Sequence, residues 1–157
     1  MKTNAVRLLE RAGIAFRLLQ YAYDEDDLAA ERVARALRLP ERQVFKTLAV
    51  QGDQKQVLLA LIPAGTELDL KALAAASGSR SCHLLPLREV QPVTGYVRGG
   101  VSPIGTRKPL ATFIDESALA QTEVSISAGL RGWQILIAPA DLIRFTGAVP
   151  ARLARPV

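Results

Sequence analysis

Lys46 lies in Gln43 to Val50, a run rich in β-forming residues that predicts a strand. Side chains alternate along a strand, so one face carries Val44, Lys46, Leu48 and Val50, and the other Phe45, Thr47 and Ala49. Lysines are seldom buried without a partner. A lysine among three apolar residues either lays its stem along them and reaches water, or stands at a cavity mouth facing an anionic or carbonyl group of a ligand. The second chemical feature is Gly95-Tyr96-Val97-Arg98-Gly99-Gly100-Val101-Ser102-Pro103-Ile104-Gly105, with four glycines and a proline in eleven residues. Such a segment is either a long turn or a nest, in which successive N–H groups hold an oxyanion or a phosphate. It lacks the P-loop spacing and is not a dinucleotide-binding fingerprint.

The remaining candidates offer little nucleophilic chemistry. Cys82 and His83 are adjacent, so on a strand they point to opposite faces and form no dyad with each other. His83 is the sole histidine, and nothing near it resembles a nucleophile elbow. Cys82 reads as a small core residue and His83 as a surface or strand-end residue. Asp115 falls at a strand end, and Asp141 reads as a first-turn helix acid. Ser125 and Ser127 share a face opposite Val124, Ile126 and Ala128, which faces either solvent or a cavity. The sum is a cavity with one cation, a glycine nest and scattered hydroxyls, without an evident nucleophile or general base.

The elements that position these residues follow from periodicity. Asn4 reads as the N-cap of a short amphipathic helix through Ala5, Leu8, Leu9 and Ala12, stopped by Gly13. Phe16 to Tyr23 reads as a strand, and Ala30, Val33, Ala34 and Leu37 as a second helix ended before Pro40. Gln43–Val50 and Gln56–Ile62 form a hairpin across the polar Gln51–Lys55. Asp69 caps a helix that runs to Ser77, with Gly78 behind it. Leu84 to Val90 is compatible with helix or strand. Strands are expected over Ala111–Asp115, Glu123–Ala128 and Trp133–Ile137, then a helix over Pro139–Phe145 ended by Gly147 and a frayed tail from Pro150. Short strands and helices without regular alternation imply an α+β fold. Val57 to Ile62 is apolar on both faces, which makes that strand central and suits a mixed, barrel-like sheet surrounded by short helices.

The chain has 157 residues, of which 20 are Lys or Arg and 15 Asp or Glu, a net charge of +5. Its length suits a single domain over 1–157. The positive excess favours a polyanionic partner such as RNA, while aromatics at 5% argue against an aromatic stacking platform as its means of binding. A single cysteine excludes an intrachain disulfide and a multi-thiolate zinc site, with a reducing compartment the default. The longest apolar run, Val57 to Ala64, is too short to span a bilayer and contains Pro63. A protein of the cytoplasm, with no membrane contact, is expected.

Val44-Phe45-Lys46-Thr47-Leu48, the Gly95–Gly105 loop and Ser127-Ala128-Gly129-Leu130-Arg131-Gly132 together resemble the signature segments of the YbaK family. These are aminoacyl-tRNA deacylases related to the editing domain of bacterial prolyl-tRNA synthetases. The resemblance runs from Asn4-Ala5-Val6 to Pro139-Ala140-Asp141-Leu142. It implies the family's mixed, barrel-like sheet and a mischarged tRNA as substrate, with cysteine on proline tRNA the expected cargo. Prolyl-tRNA synthetase is the implied protein partner, and no cofactor or metal is implied. Lys46 falls on the family's essential lysine. Gly100 and Val101 fall in the loop whose N–H groups suit an oxyanion. Tyr21, Thr47, Gly99, Ser102, Pro103, Ser127 and Asp141 fall on substrate-binding positions. The family often has Gly-Gly-Lys before Arg-Gly, where this chain has Ala128-Gly129-Leu130, so it lacks a lysine that could contact phosphate. The implied mechanism needs no protein nucleophile, because the substrate's own thiol attacks its carbonyl. The alternatives are a deacylase for alanine, serine or threonine that uses water, and a non-catalytic module that binds tRNA or a synthetase.

Overall fold

A computed structural model describes all 157 residues. Helix α1 (Asn4–Ala12) ends as expected, on Gly13 in the left-handed region (φ 70°). Its N-cap, however, is Thr3, whose hydroxyl accepts from the Val6 N–H at 3.2 Å. The carboxamide of Asn4, the expected cap, instead donates to the Gly105 carbonyl. Strand β1 (Arg17–Gln20) and helix α2 (Ala30–Leu37) follow. The hairpin forms as expected: β2 (Phe45–Gly52) pairs antiparallel with β3 (Val57–Pro63), with Lys46 opposite Ile62 and Thr47 opposite Leu61. Gln43 and its two predecessors form a 3-10 turn rather than the start of that strand.

After β3 come a short strand, β4 (Thr66–Leu68), and α3 (Leu70–Ser77), capped by Asp69 and ended by Gly78. The ambiguous segment divides into β5 (Cys82–Leu84) and α4 (Leu87–Thr94). Strands β6 (Ala111–Asp115), β7 (Val124–Ser127) and β8 (Trp133–Ile137), then helix α5 (Pro139–Thr146), complete the expected set. The tail is not frayed. It forms β9 (Val149–Ala151) and β10 (Ala154–Pro156), and Leu153 between them is fully buried.

The strands form a mixed five-stranded sheet in the order β5-β2-β3-β6-β9, an antiparallel sheet β1-β8-β7, and a pair β10-β4. A single parallel bridge from Val44 to Ser125 joins the first two, and the pairings do not close a barrel. Central β3 buries both faces. Leu59 and Leu61 join Phe45, Ile114, Ile126, Ile135, Ile137 and α1's Leu9 in the main core, whereas Leu58, Ala60 and Ile62 join Leu73, Phe113 and Leu153 in a second. The alternation read from the sequence thus sorts β3 between two cores, which is why both of its faces are apolar.

Asp115 clamps the tail. It is buried, and its carboxylate accepts from the N–H groups of Leu153 (2.9 Å), Ala154 (2.8 Å) and Ser117 (3.1 Å). Burial alone would raise its pKa, but these hydrogen bonds outweigh it and hold the carboxyl below its ordinary value.

Candidate active site

The hairpin, α2, α4 and the glycine loop enclose a cavity of about 650 Å³, within the range of small-molecule sites. Lys46, Thr47, Gly99, Val101 and Ser127 line it. The Lys46 stem leaves β2 and its Nζ donates to the Thr66 carbonyl on β4 at 2.8 Å. An ammonium has three N–H bonds, so two remain for a ligand. The Thr47 hydroxyl oxygen is buried without a hydrogen-bond partner. A buried orphan polar atom is costly, and one on a cavity wall is suited to meeting a ligand. The Ser127 hydroxyl accepts from the Gly129 N–H at 3.1 Å, leaving its own proton free to donate.

The glycine loop is built tightly. Gly99 lies in the left-handed region (φ 83°), and a Cβ there would stand 3.1 Å from the Leu28 side chain. A Cβ at Gly100 would meet the Arg131 nitrogen at 3.3 Å, so Gly100 lets the loop pack on the Leu130-Arg131 turn. The Gly100 N–H is also spent, since it donates to the Val97 carbonyl at 2.9 Å. Of the two expected nest donors, only the Val101 N–H is left without a partner within the protein. Tyr96 braces the loop by donating its phenol to the Ile104 carbonyl (2.8 Å), and burial raises that phenol's pKa.

The structure does not bring every expected residue to the cavity wall. Ser102 is fully buried, its hydroxyl accepting from the Ile104 N–H, and Pro103 is buried beside it. Both shape the loop from behind. Tyr21 packs on the small cluster of Val33, Ala34, Val44 and Ala64. Asp141 lies in the first turn of α5, paired with Arg144 at 2.6 Å. Cys82 is partly buried against the second core, and exposed His83 contacts Gln51. Neither lines the cavity.

Two polar lining residues carried no sequence signal. Gln134 is buried, and its Oε1 accepts the Ser125 hydroxyl at 2.7 Å, which leaves its amide N–H groups for the cavity. Its strand neighbours are apolar, and that concealed it. Glu31 on α2 accepts the Gly65 N–H at 2.8 Å. Burial opposes its charge, but its bonds to the Gly65 and Glu31 N–H groups, with the attraction of Lys46 and Arg35, leave its pKa lowered. Its partner is a backbone group far along the chain, which no local pattern announces.

The aminoacyl-tRNA editing domain model matches residues 25–145. EbsC of Enterococcus faecalis, a proposed Cys-tRNA(Pro)/Cys-tRNA(Cys) deacylase, is 41% identical over 145 residues, 92% of this chain and 88% of that protein. A proline–tRNA ligase of Thermosipho africanus is 28% identical over 99 residues, 63% of this chain but 18% of the ligase. Among solved structures, a proposed trans-editing enzyme for prolyl-tRNA synthetase superposes with a TM-score of 0.84 at 26% identity, covering 99% of both chains.

Proposed function

The chain belongs to the aminoacyl-tRNA editing domain family, and on that premise we propose that it is a trans-editing deacylase which frees mischarged tRNA of its amino acid, with cysteine on proline tRNA the preferred substrate. The 41% identity to EbsC supports the reaction class. One observation carries the mechanism. Lys46, Thr47, Val101 and Ser127 line the cavity, while the only histidine and the only cysteine lie off its wall.

An aminoacyl ester is already activated, so orientation and charge stabilisation suffice. In the proposed step the substrate thiol loses its proton and its sulfur bonds to the ester carbonyl carbon. The carbonyl oxygen becomes an oxyanion facing the Val101 N–H. The carbon–oxygen bond to the terminal ribose then breaks, the ribose oxygen takes up a proton, and the amino acid leaves as a cyclic thioester that water opens. Lys46 binds the carbonyl or the terminal phosphate through its two free N–H bonds. Gly99, Gly100, Ser102 and Pro103 hold the loop in shape around the substrate, and Tyr21 and Asp141 act from outside the cavity wall. The whole of 1–157 serves as one catalytic domain in the cytoplasm, where prolyl-tRNA synthetase supplies the mischarged substrate. No helix is long and apolar enough to cross a membrane.

A second reading has a specific basis, because Asp26 and Asp27 also line the cavity. A carboxylate there would activate water against alanine, serine or threonine esters. Deacylation of proline tRNA charged with cysteine, serine or alanine separates the two. Serine differs from cysteine by one atom and fits the same space, but its hydroxyl ionises far less readily than a thiol. Fast release of cysteine with slow release of serine supports thiol attack. Equal rates point to water, and binding without any turnover leaves a non-catalytic module.

A further inference from the structure

Lys46 is held by one carbonyl, and that carbonyl sits on a strand of three residues, β4. The turn that leads into it, Pro63 to Thr66, is tied down at three points. The Ala64 N–H donates to the Val44 carbonyl at 2.7 Å, and the Thr66 hydroxyl donates to the Pro63 carbonyl at 2.6 Å. The third tie comes from another element: the Gly65 N–H donates to the Glu31 carboxylate at 2.8 Å. Gly65 has φ 80°, the left-handed conformation that frees its N–H to point out of the turn. Among the acids on the cavity wall, Asp27 accepts from the Ala29 N–H within its own turn, and Glu31 alone reaches across to the segment that anchors Lys46.

We propose that Glu31 is a positioning residue for Lys46: by holding the Gly65 N–H it fixes the turn whose Thr66 carbonyl anchors the ammonium, and so aims the two remaining N–H bonds at the substrate. The inference rests on the reading that Lys46 acts on the acyl ester or its terminal phosphate. A first-turn glutamate that served only its helix would gain by facing its own N-terminal N–H groups. Glu31 also bonds a backbone group 34 residues away. The attraction of Lys46 adds to the effect by favouring the charged form of Glu31. Misplacing a reacting group by about 1 Å costs on the order of a hundredfold in rate, so a small shift of the turn is enough.

A double-mutant cycle tests this with the full chain and cysteinyl proline tRNA in single turnover. Glu31→Ala should lower kcat/KM by tenfold or more where Lys46 is present, and by less than twofold on the Lys46→Ala background, where no amine remains to be aimed. Glu31→Gln keeps an acceptor for Gly65 and should recover part of the activity, with a loss of at least threefold that also vanishes on the Lys46→Ala background. Equal losses on both backgrounds, or no loss with Lys46 present, overturn the proposal. Glu31→Gln as poor as Glu31→Ala also overturns it, because the bond to Gly65 would then not be the means. If Glu31→Ala does not fold, as judged by its thermal transition, the Glu31→Gln cycle carries the test alone. Full activity in Lys46→Ala by itself would show instead that the reading of Lys46 has failed, and the proposal would fall with it.

Discussion

Replacing Asp115 with alanine should loosen the chain end and, through it, the site. The carboxylate accepts three backbone N–H bonds, from Ser117, Leu153 and Ala154, at 2.8 to 3.1 Å, and is itself buried. A hydrogen bond to a charged group contributes roughly 1.5–3 kcal/mol, and removing the acceptor leaves buried donors unpaired. Because three such bonds to one group do not add fully, a loss of about 3–5 kcal/mol is expected. For a chain of this size that lowers the melting temperature by roughly 10 °C. Asp115→Asn keeps one acceptor oxygen and should fall between. The pH dependence has a definite sign. The folded carboxyl titrates below its ordinary value, so its contribution is complete above the unfolded pKa of about 4 and disappears as pH falls through the folded value. Asp115→Asn should therefore flatten the acid limb of stability. Urea melts between pH 7 and 3 measure both effects. A melting midpoint for Asp115→Ala that matches wild type at pH 7, or an unchanged acid limb in Asp115→Asn, would refute the clamp.

Two predictions bear on the cavity. Lys46→Met retains the apolar stem and loses one hydrogen bond to Thr66, so it should fold with a stability change of about 1 kcal/mol yet lose on the order of a hundredfold in deacylation; single-turnover release of cysteine within threefold of wild type would sink the assignment. Thr47→Val removes a buried hydroxyl that has no partner, so it should hold or gain thermal stability while losing roughly two- to tenfold in kcat/KM; a less stable protein with full activity would mean the hydroxyl serves the fold.

Where chain order and spatial order agree, the sequence was a sufficient guide. The Asp69 cap with its Gly78 stop, the β2–β3 hairpin and the β7–β8 pair depend on neighbours in the chain. The tail is different. Pro150, Arg152, Arg155 and Pro156 give no strand pattern, and its order comes from Asp115 and from β4, whose partners lie far back in the chain. Thr3 and Asn4 both have capping side chains, and the long-range bond from Asn4 to Gly105 decides which one caps. In the site, Lys46 stood out because a charge interrupts an apolar face. Asp141 looked plain as a helix acid and like a pocket residue by resemblance; the structure places it in the first turn of α5, where it pairs with Arg144. Gly100 drew notice as a nest donor, but glycine there serves close packing, and only hydrogen-bond bookkeeping distinguishes its N–H from that of Val101.

The two clamps converge on one atom. Asp115 fixes Leu153 and Ala154, β10 continues from Ala154 and pairs with β4, and Pro156 lies opposite Thr66. From the other side, Glu31 fixes Gly65, the residue before Thr66. Thr66's carbonyl is the acceptor for Lys46. A three-residue strand with one neighbour has little stability of its own, so the placement of this carbonyl is borrowed from the chain end and from α2. That arrangement suits the substrate-assisted step proposed above. When the reacting group belongs to the substrate, the protein's contribution is the fixed direction of a few donors, and a flexible lysine becomes a directed one only if its anchor is held on both sides.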